Sequence, residues 1–133
     1  TTKKDIEKRK KIIAELIGTI TSTLVRQSMF AEFERKIHDR IFKEIPTVYT
    51  DVTKEYEELL KKYFANITID EKHKYEWLRI PHFYNPYYVY KYATGISSAI
   101  YIARNILNKK EGYLEKYIKM LKTGGRLRKF RYT

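Results

Sequence analysis

The sequence contains no cysteine, which excludes disulfide bonds and any metal site or nucleophile built on a thiolate. This absence fits a reducing compartment, so we expect a cytoplasmic protein. No apolar run approaches the roughly 20 residues that a membrane-spanning helix needs. The first residues, 1–11, are dominated by charge and show no signal-peptide pattern. We therefore expect no membrane partner.

Chain-breaking residues are also scarce, with 5 glycines and 3 prolines among 133 residues. Apolar residues recur at intervals of three and four almost throughout, whereas no segment of convincing length alternates with period two. An apolar content of 43% and an aromatic content of 15% argue against disorder. We predict an all-α fold with a long N-terminal helix and about three further helices.

The apolar spacing predicts one N-terminal helix over residues 5–43, with a bend or frayed turn between Gly18 and Thr23. Such a helix would be about 55–60 Å long, whereas a compact domain of this size has a radius of gyration of about 14 Å. We expect the helix either to extend beyond its own domain or to need support from a larger body. Its predicted apolar residues are Ile13, Leu16, Ile17, Ile20, Leu24, Phe30, Phe33, Ile37 and Ile41.

Turn signals divide the rest of the chain. Pro46 ends the first helix, and Thr50 or Asp51 can cap the second. A loop over residues 66–81, with one short turn near residues 70–75, should be anchored by Trp77. A third helix should run from Asn85 or Pro86 to about Asn108. A fourth should run from Tyr113 to Lys122 and be stopped by Gly124 and Gly125. The predicted buried stripe of the second helix consists of Val52, Tyr56, Leu59, Leu60, Tyr63 and Phe64.

The formal net charge of +12 raises the possibility of a nucleic-acid partner. Lysine and arginine are spread along every segment, however, and the densest runs lie at the two ends. The recognisable docking helix or stacking sheet of a nucleic-acid module is absent, so we expect no nucleic-acid partner. A basic helical nucleic-acid-binding module and a helical protein-interaction domain stay open as alternative functions.

The most informative segment is residues 80–95, which hold five tyrosines and one of the chain's three histidines. Phenol and imidazole groups are hydrogen-bond donors on rigid side chains, a combination suited to binding a peptide backbone or an oxyanion. The plainer interpretation is an amphipathic helix that buries the tyrosine rings and leaves their hydroxyls in water.

Two motifs carry a resemblance to a known family. Residues 79–95, preceded by Trp77, and residues 23–34, followed by Ile37 and His38, resemble oligoendopeptidase F of the thimet-oligopeptidase superfamily of zinc metallopeptidases. The resemblance covers roughly residues 20–124. It implies that residues 1–125 are the helical C-terminal part of a peptidase catalytic domain and that residues 126–133 form a basic tail.

The resemblance also implies roles for individual residues. In this family a histidine and tyrosines face the zinc ion across the cleft and bind the scissile carbonyl and its oxyanion. His82 and Tyr90 match the catalytic positions, and Tyr84 and Tyr88 are further substrate-binding candidates. On a continuous helix Tyr84, Tyr88 and Tyr92 would share one face, with Tyr92 and Tyr87 used mainly for packing.

The family's zinc motif, His-Glu-x-x-His, does not occur in the sequence. The resemblance therefore implies that zinc belongs to the intact parent enzyme, and that this chain binds no metal and is inactive alone. Its expected partners are an oligopeptide substrate and the missing N-terminal part of the enzyme, and the isolated chain should self-associate. We expect structural roles for Arg26, Gln27, Glu32 and Glu34, a buried hydrogen bond rather than a metal at Glu34 and His38, and a solvated His73.

Overall fold

The computed structural model describes residues 3–124, and every regular element in this range is helical. Its α-helices are α1 (Lys3–Ile20), α2 (Arg26–Phe42), α3 (Tyr49–Tyr63), α4 (Tyr90–Leu107) and α5 (Tyr113–Thr123). A π-helical segment (Thr21–Val25) joins α1 to α2, and two 3-10 helices (Glu71–Arg79 and Pro81–Tyr84) lie between α3 and α4. The predicted all-α fold is confirmed, while the basic tail predicted at residues 126–133 lies outside the described residues.

The long N-terminal helix is present as α1, the π segment and α2. Backbone angles stay helical through both junctions, at Ile20 and at Arg26. The π segment overlaps the predicted irregular point, where the Thr19 and Ser22 hydroxyls donate to the carbonyls of Glu15 and Thr19. Hydroxyls that bond to helix carbonyls compete with the backbone ladder and favour such departures from α geometry.

α1 stands away from the hydrophobic core along its whole length. Residues 3–19 are all exposed, and α1 buries none of its residues. Its large apolar side chains are 45–59% exposed, namely Ile6, Ile12, Ile13, Leu16 and Ile17. The exposure of α1 agrees with the expectation that this helix extends beyond its own domain or needs support from a larger body. None of the described helices combines the length and apolarity that a membrane span requires.

The core forms where α2, α3 and the two 3-10 helices pack together within a compact unit ending at Ile96. Aromatic rings meet edge-on at its centre, with Phe33 and Tyr56 centroids 5.1 Å apart and Phe30 and Phe83 centroids 5.3 Å apart. The core residues are Met29, Phe30, Phe33, Tyr56, Leu59, Leu60, Ile80 and Val89. The predicted stripe of α3 is confirmed, but Ile41 on α2 is 60% exposed and does not belong to the core.

The start of α3 differs slightly from its prediction. Val48 occupies the N-cap and its backbone N–H donates to Asp51 Oδ2 at 3.0 Å, so the helix begins at Tyr49 and Asp51 caps it from inside the first turn. The loop predicted over residues 66–81 contains more structure than one turn, namely the nine-residue 3-10 helix Glu71–Arg79. Trp77 anchors this helix as predicted, because its indole N–H donates to Thr53 Oγ1 at 3.2 Å.

The predicted start of α4 at Asn85 or Pro86 is wrong. Tyr87 has a φ of 57°, in the left-handed region, and α4 begins only at Tyr90. A bulky L-residue adopts this conformation only when its surroundings hold it there, and it interrupts a right-handed helix. The 3-10 helix Pro81–Tyr84 and the non-helical residues 85–89 therefore replace the first turns that the proline signal predicted.

A second compact unit begins at Ser97 and contains the rest of α4 together with α5. Gly112, with a φ of 74°, makes the left-handed turn that precedes α5. The Tyr101 and Tyr113 hydroxyls lie 2.9 Å apart within this unit. Gly124 follows the last helical residue, Thr123, as predicted, whereas Gly125 lies outside the described residues.

Candidate functional site

The aromatic segment, residues 80–95, is fixed to the core by its apolar members. Val89 is fully buried, Ile80 is 8% exposed, and the Phe83 ring lies 5.1 Å from the Phe33 ring. Apolar anchors at three separate places leave little freedom to the residues between them. The histidine and tyrosines of the segment are therefore presented from a well-packed base.

Three of these polar aromatic residues form a histidine–tyrosine cluster, made of His82, Tyr88 and Tyr92. His82 Nε2 lies 3.2 Å from the Tyr92 hydroxyl, and its ring stacks on Tyr88 with centroids 5.6 Å apart. Tyr88 and Tyr92 meet edge to face, also at 5.6 Å. All three side chains are half-buried. The spacing analysis assigned Tyr92 mainly to packing and did not predict that its hydroxyl would contact His82.

A lysine and a neighbouring phenol contact the tyrosines of the cluster. Lys91 Nζ lies 5.0 Å above the Tyr88 ring, a cation–π contact. Interaction with the Tyr88 hydroxyl raises the pKa of Tyr92 above its ordinary value of 10.0. The Tyr92 phenol therefore keeps its proton at neutral pH.

The structure places Tyr90 and Tyr84 outside the cluster. Tyr90 is the first residue of α4 and half-exposed, and its hydroxyl has no hydrogen-bond partner within residues 3–124. Tyr84 is 78% exposed and donates to the Leu78 carbonyl at 3.3 Å. The prediction that Tyr84 shares a helix face with Tyr88 and Tyr92 is wrong, because Tyr84 precedes α4 and ends a separate 3-10 helix.

A contact that the sequence did not reveal joins α2 to the aromatic segment. The buried Glu34 carboxylate accepts the backbone N–H of Tyr87 at 2.6 Å. The His38 ring lies beside the Tyr87 ring, with centroids 5.0 Å apart. Glu34 thus makes a buried hydrogen bond, but its donor is the backbone of Tyr87 and not His38, with which the sequence paired it.

The contacts of Arg26 and Glu32 agree with the structural roles predicted for them. Arg26 forms an ion pair with Glu76, which also accepts the Tyr56 hydroxyl at 3.0 Å. Burial, followed by the Glu76 charge, raises the pKa of Tyr56 well above its ordinary value. Glu32 accepts hydrogen bonds from Lys62 and Tyr63, each at 2.7 Å.

The described residues do not fit a zinc site. Within residues 3–124, no group of three His, Asp or Glu side chains converges closely enough to hold a metal ion. His73 is exposed, as predicted, and its Nδ1 lies 3.2 Å from the Asp70 carbonyl. His82 is engaged with Tyr92, and His38 packs on Tyr87.

The helical fold, the aromatic segment and the buried Glu34 carboxylate provide a basis for comparison with known proteins. The sequence profile of peptidase family M3 matches residues 1–130. The match covers nearly the whole chain, which therefore belongs to peptidase family M3.

Its relatives and structural neighbours are oligopeptidases. The chain is 51% identical to the oligoendopeptidase F homolog of Borreliella burgdorferi over 91% of this chain and 21% of that protein. It is 40% identical to oligopeptidase PepF of Bacillus subtilis, over 90% of this chain and 18% of that protein. The crystal structure of oligoendopeptidase-F from Enterococcus faecium matches 86% of this chain and 22% of its own, with 37% identity and a TM-score of 0.82. The chain thus spans about a fifth of the length of these relatives.

Proposed function

We propose that this chain is the substrate-binding portion of a zinc-dependent oligoendopeptidase that hydrolyses short peptides. In this role Tyr90 and His82 donate hydrogen bonds to the scissile carbonyl and to the oxyanion formed from it, and Tyr84 and Tyr88 bind the neighbouring peptide. The observation that carries the proposal is the Tyr90 hydroxyl, which is exposed and without a partner in the described chain, next to the histidine–tyrosine cluster.

The chemistry suits these side chains. The Tyr90 phenol carries an O–H group that can donate a hydrogen bond. A donor aimed at the oxygen that becomes negative strengthens its bond in the transition state, which lowers the barrier by about 3–4 kcal/mol for one such group. Because Tyr92 engages His82 Nε2, Nδ1 is the ring nitrogen available to a peptide.

Zinc and the general base are proposed to come from the part of the enzyme that this chain does not span. The sequence has no His-Glu-x-x-His motif, and residues 3–124 bring no metal-binding group together. The proposal also places the intact enzyme in the cytoplasm, in keeping with a chain free of cysteine.

A chimera tests the proposal directly. In this chimera, residues 3–124 replace the corresponding segment of the Borreliella burgdorferi homolog. The 51% identity between the two chains favours correct packing of the replaced segment. The activity of the chimera without further substitutions is the baseline. Tyr90→Phe and His82→Ala should each lower kcat by about 10²–10³-fold, while KM changes far less, because oxyanion donors act mainly in the transition state.

Tyr90→Phe is the sharper variant because it removes one hydroxyl and leaves the ring to pack. Tyr75→Phe provides a matched control, since Tyr75 is also exposed but lies on the 3-10 helix Glu71–Arg79. The control should keep the baseline kcat. Normal turnover of the Tyr90→Phe chimera would refute the proposed role of this side chain.

A further inference from the structure

We propose that Glu34 is a positioning residue whose buried carboxylate holds the backbone at Tyr87 and thereby aims Tyr88 and Tyr90 at the peptide. The inference rests on the proposed function, because it concerns the same site. Glu34 lies on α2, 53 residues before its partner in the sequence, and touches neither tyrosine hydroxyl in the structure. Its influence therefore passes through the main chain of the aromatic segment.

The contact itself is short and enclosed. Glu34 Oε1 lies 2.6 Å from the Tyr87 nitrogen, and Glu34 is only 6% exposed. A backbone N–H that donates to a carboxylate forms a stronger bond than one that donates to a neutral oxygen. Burial adds to its importance, because a buried carboxylate that lost this donor would be left without a hydrogen-bond partner of the protein. Glu34 and Tyr87 therefore hold each other tightly.

The Tyr87 backbone explains why such a hold is needed. Its φ of 57° is unfavourable for a bulky side chain and persists only where the surroundings impose it. The Glu34 carboxylate fixes its N–H, and the His38 ring lies against its side chain. Both contacts come from α2, so one face of that helix sets the conformation of this residue.

The positions of the residues directly after Tyr87 depend on this backbone conformation. Two residues later Val89 is fully buried, and at Tyr90 the chain enters α4. If Tyr87 relaxed to an ordinary negative φ, the direction of the chain would change, and Tyr88 and Tyr90 would move with it. A displacement of about 1 Å at a group that stabilises a transition state can cost about 10²-fold in rate.

The chimera described above, active as a full-length peptidase, is the protein in which to test this inference. Glu34→Leu removes the acceptor at similar size and should lower kcat by at least about tenfold, with KM changed by less than about threefold, since misplacement affects mainly the transition state. Glu34→Gln should restore most of the kcat, because its amide oxygen can accept the same N–H.

Glu32→Leu is the matched control. Glu32 lies on the same helix and also accepts two short hydrogen bonds, but from Lys62 and Tyr63 rather than from the aromatic segment. Its loss should lower the thermal unfolding temperature without changing kcat. An unchanged kcat in Glu34→Leu, or an equal loss of kcat in Glu32→Leu, would overturn the positioning role.

A double variant tests whether Glu34 acts through Tyr90. Glu34→Leu combined with Tyr90→Phe should lose clearly less kcat than the product of the two single losses, because the part of the Glu34 effect that acts through the Tyr90 hydroxyl is already absent. Losses that multiply would overturn the proposal. If the Glu34→Leu chimera does not fold, Glu34→Asp decides: its shorter carboxylate should lower kcat with the fold retained, and an unchanged kcat would refute the proposal.

The two proposals fail in different ways. A large loss in Tyr90→Phe with none in Glu34→Leu would overturn only the positioning role. Normal turnover in Tyr90→Phe would overturn the oxyanion role proposed for this side chain.

Discussion

Two carboxylates on α2 connect this helix to the elements packed against it. Glu34 on α2 binds the Tyr87 backbone, and Glu32 on the same helix binds Lys62 and Tyr63 of α3. Burial, with the Glu32 hydrogen bond next in size, raises the pKa of Tyr63 to about 12. Each carboxylate is paired with specific donors, so these contacts fix the alignment of the elements more than they add to stability.

The pairing of Glu32 predicts a pH-dependent stability. Hydrogen bonds from Lys62 and then Tyr63 lower the pKa of Glu32 from its ordinary value of 4.5, so the unfolded chain binds this proton more readily than the folded one. The stabilisation is present above the unfolded-state pKa and is lost as the pH falls through the lower folded-state pKa. The free energy of unfolding should therefore decrease below about pH 4.5, and less steeply in Glu32→Gln.

Urea unfolding of the purified chain, followed by circular dichroism at pH values from about 3 to 6, measures this slope. Glu58→Gln is the control, because Glu58 is an exposed carboxylate on α3. An identical slope in Glu32→Gln and the parent chain would contradict the prediction.

At the scale of elements, the sequence predicted those features that depend on interactions within a single helix. The three-and-four spacing identified Phe30, Phe33 and the stripe of α3 as core, because amphipathic periodicity is a property of each helix alone. The start of α4 could not be found this way. Pro86 is a helix-start signal, but the hydrogen bond that the Tyr87 N–H donates to Glu34, distant in sequence, holds Tyr87 in a left-handed turn and delays the helix.

In the candidate site, too, the sequence predicted which residues are present but not the contacts that depend on the turn before α4. His82 and Tyr88 were expected at the site and do lie together, whereas the contact of Tyr92 with His82 depends on the turn at residues 85–89. The 3-10 helix Glu71–Arg79 was underestimated because it has no 3.6-residue period, and it is held instead by tertiary bonds of Glu76 and Trp77.

The exposed apolar face of α1 predicts self-association of the isolated chain. Ile13, Leu16 and Ile17 are each more than half exposed on one side of that helix, and contiguous apolar surface of this kind tends to bind other surfaces. Leu16→Glu with Ile17→Glu should shift the chain toward monomer. Light scattering over a concentration series measures the change, with Lys8→Glu and Lys11→Glu as a charge-changing control on the same helix. A parent chain that is monomeric throughout the series would contradict the prediction.

At the scale of the whole molecule, the proposed division of labour predicts that the isolated chain is inactive. Purified without chelators, it should contain far less than one equivalent of zinc and should not cleave a fluorogenic peptide, because the ligands and the base are proposed to lie elsewhere in the enzyme. Metal analysis and a peptide assay with the full-length chimera as positive control test this. One tightly bound equivalent of zinc would contradict it.

The π segment between α1 and α2 sets how α1 is rotated about the helix axis relative to α2. A π turn accommodates one residue more than the α-helical turn it replaces, and one residue corresponds to a rotation of about 100° around the helix axis. Removing a single residue from Thr21–Val25 would restore an unbroken α-helix and turn the apolar face of α1 by that angle relative to Phe30 and Phe33. The direction in which the apolar face of α1 points is thus set by the number of residues in the π segment, whichever side chains α1 carries.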